Sequence, residues 1–479
     1  MRKRLLEKQI KLALPKGKLL PATACLLSEI GIDFDNYTAE TRVYRLHSRT
    51  FPHLSAKMFH EKDVPVQVAV GNYDLGICGS DWIEELLAKY PASSIVKLSD
   101  LRYDKASLHF AVSTKQPYNS LDKLIAHRRS LRIVTEYPNL AESAALHFRL
   151  KRFRIFPAWG GAEVYPPEDA DVAVLKAYDT GDLARQNLIA LRPVLDTSAF
   201  LIANRDSLQS KNVSEVIGCF GEGIKRKRKL WMGVETVPAQ TANTYDAGYS
   251  KSVVRMALPD GHQRSPAVEF LKKAGITIRG YTDGELDRRP VMKDRQTGVK
   301  VIRPQDMPLH VANGNFDLAV TGKDWLLDHL YRFPSSPVVK LLELGFGAVR
   351  VVVVVSRDLP VSSIADVKRL LERGTLTSLR VASEYIKIAD RYLHENHMNP
   401  YKLIPTWGAS EVFLPEDADM LIENTQTGKT LATHNLKIID TILESTACLI
   451  ANKNSLKSST KAEKMNPIID AFRRVVESE

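Results

Sequence analysis

The chain has 479 residues, of which 44% are hydrophobic and 26% charged, a balance that excludes a disordered or low-complexity protein. Lysine and arginine outnumber aspartate and glutamate by 67 to 56, and the formal net charge of +11 favours polyanionic partners such as nucleotides, phosphosugars or nucleic acid. The four cysteines are widely spaced, so we expect neither a disulfide framework nor a zinc site.

Short apolar runs alternate with amphipathic segments along the N-terminal half. The pattern predicts strands at residues 10–14, 75–77, 108–112, 131–135 and 171–175, a further β-like run at 67–70, and helices at 19–30 and 139–150. This alternation predicts an α/β fold with mainly parallel sheets, and the size of each half suggests two lobes with a cleft at the strand C-termini.

The longest apolar run, at residues 349–355, is too short to span a bilayer and reads as a buried strand. The basic N-terminus is not followed by an apolar segment of signal-peptide length. We therefore expect a cytoplasmic protein that does not associate with membranes.

The sequence repeats itself in five blocks that occur in the same order in both halves. The pairs are LALPKG/MALPDG, GNYDLGICGSDW/GNFDLAVTGKDW, RIVTEY/RVASEY, WGGAEVYPPEDAD/WGASEVFLPEDAD and LDTSAFLIANRDSL/LESTACLIANKNSL. The period is far longer than a solenoid repeat, so each copy is a unit of domain size. We predict a first unit at 1–233, a linker at 234–250 and a second unit at 251–479.

A phosphate-binding loop is predicted in the second copy. A strand at residues 420–422 ends in the acid Glu423 and is followed by Thr427, Gly428, Lys429, Thr430 and Leu431. Backbone amides, hydroxyl groups and a lysine at a strand end suit a phosphate, and the acid suits ribose hydroxyls or a phosphosugar-bound Mg²⁺. The spacing fits equally a plain helix N-cap with a solvated lysine, and it is not that of a P-loop.

The first copy departs from this pattern. Leu175 stands where the second copy has Glu423, and Asp182 replaces the basic and hydroxyl pair, so the loop would repel a phosphate. At another position it is the first copy that has the basic residue: Lys16 of the first copy corresponds to Asp260 of the second. Neither copy has every candidate polar feature, which fits either drift after duplication or a division of labour between the copies.

These blocks, together with IRPQDMP, LGFG and EDADMLIENTQTGKTL, resemble ATP phosphoribosyltransferase, the first enzyme of histidine biosynthesis, once in each copy. The resemblance implies units like type II periplasmic binding proteins. It also implies a reaction that joins N1 of ATP to C1 of phosphoribosyl pyrophosphate, with Mg²⁺ as cofactor and pyrophosphate as the second product. The reaction needs no catalytic nucleophile or general base, none is evident in the sequence, and no metal ligand is assigned.

The resemblance also implies which residues bind the substrates. Glu423, the five loop residues that follow it and Glu411 would bind phosphoribosyl pyrophosphate. Lys16, Arg42, Arg303 and Glu384 are candidates for ATP or pyrophosphate. Lys16 has no lysine counterpart in the second copy, so the resemblance leaves open whether that copy binds pyrophosphate.

Several alternatives remain at this stage. A tandem chain could be a covalent pseudo-dimer, could form a further homo-oligomer, or could need a partner resembling histidyl-tRNA synthetase. A non-catalytic nucleotide- or phosphosugar-binding regulator would also fit the altered loop of the first copy. The basic run at residues 225–229 would suit nucleic acid, but no nucleic-acid module surrounds it, so a solvated helix face is the simpler interpretation.

Overall fold

The structure is a computed structural model that describes residues 9–38, 44–227, 253–284, 286–294, 296–408 and 410–478. Its contacts divide the chain into two compact units. Unit 1 comprises Met1–Phe156, Val172–Tyr245 and Trp407–Val412, and unit 2 comprises Pro157–Asp171, Asp246–Thr406 and Phe413–Glu479. The units follow the two sequence copies except for two short exchanged segments. The predicted linker at 234–250 lies outside the described residues.

Unit 1 alternates strands and helices. Its strands are β1 (Ile10–Lys16), β2 (Arg45–His47), β3 (Leu54–His60), β4 (Leu75–Gly79), β5 (Ile95–Asp100), β6 (Ala106–Ser113), β7 (Leu131–Thr135), β8 (Phe153–Pro157), β9 (Val172–Ala177), β10 (Leu188–Thr197) and β11 (Ala199–Asn204). Its helices are α1 (Leu20–Glu29), α2 (Asp63–Ala69), α3 (Ser80–Lys89), α4 (Leu121–His127), α5 (Pro138–His147), α6 (Thr180–Arg185), α7 (Arg205–Ser210) and α8 (Ser214–Lys227).

Two sheets make unit 1 bilobal. The first lobe has the strand order β2-β3-β1-β4-β11-β5 and the second has β10-β6-β9-β7-β8. The chain passes between the lobes from β5 to β6 and returns from β10 to β11. Strands β1, β3 and β4 run parallel, as do β7 and β9, whereas the strands next to the two crossovers pair antiparallel. The predicted α/β fold is confirmed, and parallel pairing is found at the centre of the sheets.

Unit 2 repeats this plan. Its strands are β12 (Val254–Pro259), β13 (Ile278–Tyr281), β14 (Leu286–Met292), β15 (Thr297–Ile302), β16 (Leu318–Gly322), β17 (Val338–Glu343), β18 (Val349–Ser356), β19 (Leu379–Ser383), β20 (Tyr401–Pro405), β21 (Met420–Thr425), β22 (Leu436–Ser445) and β23 (Ala447–Asn452). Its helices are α9 (Arg264–Lys273), α10 (Met307–Ala312), α11 (Lys323–Arg332), α12 (Ile364–Glu372), α13 (Ile386–Glu395), α14 (Lys429–Thr433), α15 (Lys453–Lys457) and α16 (Ser459–Ser478). The sheet orders are β13-β14-β15-β12-β16-β23-β17 and β20-β19-β21-β18-β22.

Most of the predicted elements are confirmed, and one is wrong. The valine run forms β18, which lies between β21 and β22 and is almost wholly buried. The predicted β-like run at 67–70 instead lies mainly in α2. A four-residue apolar run does not distinguish a strand from a buried helical turn, and here the helix also includes the preceding buried residues.

One exchanged segment, Pro157–Asp171, completes unit 2 although it comes from the first sequence copy. Lys300 of β15 is only 6% exposed, and its ammonium lies 2.9 Å from Glu168 Oε2 and 2.5 Å from Asp169 Oδ2. Arg289 contacts Glu168 at 2.9 Å, and Arg255 contacts Asp169 at 3.0 Å. Since a buried ammonium requires a counter-charge, this segment is part of the folded unit rather than a loose loop.

The polar residues of interest follow the C-terminal ends of parallel strands. In unit 2, Asp260 follows β12, Arg303 follows β15 and Asp324 lies just beyond β16, whereas Glu384 follows β19. Such ends meet at one edge of a sheet, which is where open α/β sheets bind ligands. Within the described parts of the chain, no helix is long and apolar enough to cross a membrane.

Candidate active site

The loop after β21 carries the predicted phosphate-binding residues and is folded on its own hydroxyl groups. The amide of Gly428 donates to Thr425 Oγ1 at 2.9 Å, and the amide of Lys429 donates to Thr427 Oγ1 at 3.5 Å. Gly428 has a φ of 73°, a conformation that favours glycine, and the chain turns there into α14. Two of the amides expected to bind phosphate are therefore used within the loop.

The side chains of this loop remain accessible. Thr427, Lys429 and Thr430 are exposed, whereas Leu431 is buried and fixes the start of α14. Glu423 is half-buried in β21, and its Oε1 accepts a hydrogen bond from the amide of Asn424 at 3.0 Å. An ammonium, two hydroxyls and a carboxylate thus lie along one short segment, which suits a phosphorylated sugar.

The corresponding loop of unit 1 is occupied by its own carboxylates. Asp182 Oδ2 accepts the amide of Tyr178 at 2.8 Å, and the amide of Asp182 donates to Asp179 Oδ1 at 2.8 Å. Arg185 also pairs with Asp182. The hydrogen bond from Tyr178 lowers the pKa of Asp182, so the carboxylate is charged at neutral pH and occupies the loop together with Arg185.

A buried network in unit 2 adjoins Glu423, and the sequence analysis did not identify it. Tyr385 Oη donates to Asp324 Oδ2 at 2.6 Å and accepts from Asn424 Nδ2 at 2.7 Å. The Tyr385 ring stacks on Trp325 with centroids 4.2 Å apart. Burial and the nearby carboxylates of Asp324 and Glu423 raise the pKa of Tyr385, so it stays a donor. The recurrence of Asp and Tyr in two repeated blocks was the available sequence clue.

A cluster of two arginines surrounds Asp260, the residue that replaces Lys16 in the second copy. Arg288 Nη1 lies 2.6 Å from Asp260 Oδ2, and Arg303 Nη1 lies 3.7 Å from the same oxygen. Burial would raise the pKa of Asp260, but the Arg288 hydrogen bond and Arg303 outweigh it and lower the pKa. Because two cations face one anion, the cluster keeps a net positive charge. Sequence reasoning missed Arg288, which lies on a strand with no distinctive motif.

The other predicted residues fall in different places. Lys16 belongs to unit 1, where its ammonium donates to Tyr44 Oη at 2.8 Å. Glu384 precedes Tyr385 at the end of β19 and is half-buried. Glu411 lies in a short 3-10 helix, Ser410–Phe413, and is grouped with unit 1, whereas the Glu423 loop belongs to unit 2. Arg42 lies outside the described residues.

The donors for a metal ion are sparse. Among the described residues, no group of three or more His, Cys, Asp or Glu side chains is arranged to hold a metal. A Mg²⁺ ion carried by diphosphate oxygens requires only one or two protein carboxylates and keeps several waters. Glu423 fits such a role because it is half-buried at the loop that would bind the phosphosugar.

Comparisons with known proteins agree with the repeat. The HisG family model, described as ATP phosphoribosyltransferase, matches residues 60–221 and again 303–474. An ATP phosphoribosyltransferase of Thermodesulfovibrio yellowstonii is 32% identical over 220 residues, covering 45% of this chain and 70% of that protein. One from Methanocaldococcus jannaschii is 35% identical over 232 residues, covering 47% of this chain and 74% of that protein.

A solved structure shows a weaker likeness. The ATP phosphoribosyl transferase (HisG:HisZ) complex from Thermotoga maritima aligns at 21% identity with a TM-score of 0.38, covering 47% of this chain and 100% of that chain. The family assignment depends on the two sequence segments and on the curated relatives. The chain therefore belongs to the ATP phosphoribosyltransferase family of glycosyltransferases and contains the family's matched region twice.

Proposed function

We propose that unit 2 transfers the phosphoribosyl group of phosphoribosyl pyrophosphate to N1 of ATP, the first step of histidine biosynthesis. The observation that carries the proposal is the contrast between the two loops. The loop of unit 2 leaves Thr427, Lys429 and Thr430 exposed beside Glu423, whereas the loop of unit 1 is filled by Asp182. Family membership supplies the reaction class, and this contrast selects the unit.

The chemistry requires positioning more than covalent participation by the protein. The lone pair of N1 forms a bond to C1 of the ribose while the bond from C1 to the pyrophosphate oxygen breaks, and its electrons leave with pyrophosphate. Holding the two reactants in line converts a bimolecular encounter into a unimolecular step. The Glu423 carboxylate would bind ribose hydroxyls, and the Lys429 ammonium would bind the sugar's phosphate.

The arginine cluster supplies positive charge at the position where the second copy lacks the lysine. Arg288 and Arg303 surround Asp260 at the end of β12, where the first copy has Lys16. We assign the departing pyrophosphate to these two guanidiniums, since preorganised cations stabilise charge that develops in the transition state. When bound, Mg²⁺ would supply further positive charge to the diphosphate, and Glu423 is the residue proposed to hold it. Glu384 would bind ATP, and the contribution of Glu411, Lys16 and Arg42 stays a prediction.

Partners are proposed on the same basis. ATP and phosphoribosyl pyrophosphate are the proposed substrates, the cytoplasm is the proposed location, and a homo-oligomer or a partner resembling histidyl-tRNA synthetase would regulate the chain. The filled loop in unit 1 favours a non-catalytic role for that unit. It does not favour a non-catalytic regulator for the whole chain, because the loop of unit 2 is open.

The proposal is tested by pyrophosphate release from ATP and phosphoribosyl pyrophosphate with purified full-length chain and Mg²⁺. Lys429→Ala and Glu423→Gln should each lower kcat/KM at least tenfold, since each removes a charged contact with substrate. Asp179→Ala in unit 1 is the matched control and should change it less than twofold. Equal losses from the two loops, or binding of phosphoribosyl pyrophosphate without any turnover in the presence or absence of a regulatory partner, would refute the assignment.

A further inference from the structure

Unit 1 contains a lysine between its lobes where unit 2 has an amide. Lys176 lies on β9 in the second lobe, and its ammonium is 2.5 Å from Asp104 Oδ2 and 3.5 Å from Asp81 Oδ2. Tyr178 Oη donates to the other oxygen of Asp104 at 2.7 Å. We call these contacts among Lys176, Asp81, Asp104 and Tyr178 the Lys176 bridge.

The residues of the bridge belong to different parts of unit 1. Asp81 starts α3, directly after β4 of the first lobe, and Asp104 lies in the crossover from β5 to β6. The Lys176 side chain is 15% exposed, and those of Asp104 and Asp81 are 10% and 1% exposed. Burial alone would lower the pKa of Lys176, but the two carboxylates raise it, so the ammonium stays charged. The bridge is thus an ion pair shielded from water, so removing one partner would leave a buried charge without compensation.

A second ion pair joins the same two lobes. Lys62 precedes α2 in the first lobe, and its ammonium is 2.8 Å from Glu136 Oε2, just beyond β7 in the second lobe. The Lys62 ammonium also lies 4.8 Å from the centre of the Trp82 ring. The Lys62 side chain is 8% exposed and that of Glu136 is 31% exposed, so this pair is partly shielded from solvent.

Unit 2 has the residues for only part of this arrangement. Alignment of the repeated blocks places Asn424 at Lys176 and Gln305 at Lys62, and neither amide can form an ion pair. Gly347 stands in place of Asp104 and Gln426 in place of Tyr178. Both units share the tyrosine–aspartate bond, from Tyr137 to Asp81 at 2.8 Å in unit 1 and from Tyr385 to Asp324 at 2.6 Å in unit 2. Both also share a carboxylate of the first lobe, Glu85 or Asp328, that accepts backbone amides at the start of the facing helix of the second lobe.

From these contacts we infer that the Lys176 bridge and the Lys62–Glu136 pair hold the two lobes of unit 1 closed on one another. Lys176 lies one residue after Leu175, the position that corresponds to Glu423 in unit 2, and thus at the start of the segment that forms the phosphate-binding loop there. Unit 1 is therefore a fixed scaffold whose cleft is filled by its own charges, while unit 2, without either lysine, can open and close around substrate. Only the role given to unit 2 rests on the proposed function.

The inference is tested by measuring the distance between the lobes of unit 1 without substrate. Spin labels are placed by Lys89→Cys in α3 and Lys123→Cys in α4, both exposed, in a full-length chain with Cys25→Ser and Cys219→Ser. We expect one narrow distance distribution in this background. Lys176→Asn, which introduces the residue found in unit 2, should add a population with longer and more widely spread distances between the labels. Adding Lys62→Gln to the same chain should increase the fraction of molecules in that population.

The control is Lys97→Asn, which removes an exposed lysine 2.5 Å from Glu84 within the first lobe and should leave the distances unchanged. If Lys176→Asn does not fold, Lys62→Gln alone provides the test. An unchanged distribution in folded Lys176→Asn with Lys62→Gln would overturn the inference. Because no substrate is present, this result is independent of whether unit 2 turns over.

Discussion

Replacement of Lys300 by methionine is the sharpest test of how unit 2 is assembled. The Lys300 ammonium contacts Glu168, Asp169 and the carbonyl oxygen of Tyr165, at 2.9, 2.5 and 3.1 Å. Methionine keeps most of the side-chain volume but removes the charge, so the change isolates the electrostatic contribution. Two carboxylates of the exchanged segment then lose a buried counter-ion.

The expected cost follows from the contacts that remain. Removing one partner of a buried ion pair costs about 3–5 kcal/mol, because the other charge is left uncompensated. Here Arg289 still contacts Glu168 at 2.9 Å, and Arg255 still contacts Asp169 at 3.0 Å. We therefore expect the lower end of the range, about 3 kcal/mol, which corresponds to roughly a hundredfold change in an opening equilibrium.

Hydrogen exchange measured by mass spectrometry gives the local readout. Peptides from Pro157–Asp171 and β15 should exchange roughly a hundredfold faster in Lys300→Met, while β18 keeps its protection. The control is Lys340→Met, which removes an exposed pair with Glu343 and should cost less than about 1 kcal/mol. Equal exchange in the two variants would refute the view that buried charge holds this segment in unit 2.

Three further predictions concern pH and charge. Burial raises the pKa of Glu61 from 4.5 to about 7, so the contribution of Glu61 to stability is most favourable below pH 4.5 and is lost as the pH rises through 7. Glu61→Gln should therefore stabilise the chain at pH 8 by up to about 3 kcal/mol, seen as a higher unfolding temperature, and should not do so at pH 4.5. Burial lowers the pKa of His310 to about 3, so the unfolded chain binds a proton below pH 6.5 that the folded chain does not. This group should lower the free energy of unfolding by about 1.4 kcal/mol per pH unit from pH 6 to 4.5, and in His310→Gln the free energy of unfolding measured with urea should fall less steeply with decreasing pH. Arg288→Ala should weaken inhibition by pyrophosphate roughly tenfold to a hundredfold in steady-state assays, because it removes a charged contact, whereas Arg473→Ala, at an exposed position of α16, should not.

Local patterns in the sequence were sufficient to predict much of the fold. The valine run of β18 and the repeated strand and helix signals correspond to elements of the structure, since their periodicity depends only on neighbouring residues. The error at residues 67–70 has the same origin, because four apolar residues satisfy a strand and a helix alike. The difference between the two loops was also visible in the sequence, where Asp182 stands in place of Thr430.

The remaining features depend on contacts between distant residues, which no local pattern specifies. Lys176 and Asp104 are far apart in the chain, and so are Arg288 and Asp260, yet each pair makes a close ion pair. The self-bonding of the loop through Thr425 also needs the turn geometry. Comparison of the two copies shows that the residues at these positions differ, but the structure is needed to show which residue each one contacts.

The position of Pro157–Asp171 in the first sequence copy limits how this chain could be shortened. A deletion that removed the N-terminal copy would also remove Glu168 and Asp169, the anions that neutralise Lys300 in unit 2. Substitutions in the loop of the first copy leave this acidic segment in place, whereas deletion of the whole copy removes it. A chain that consisted of the second copy alone would need an equivalent acidic segment from a second molecule to neutralise Lys300.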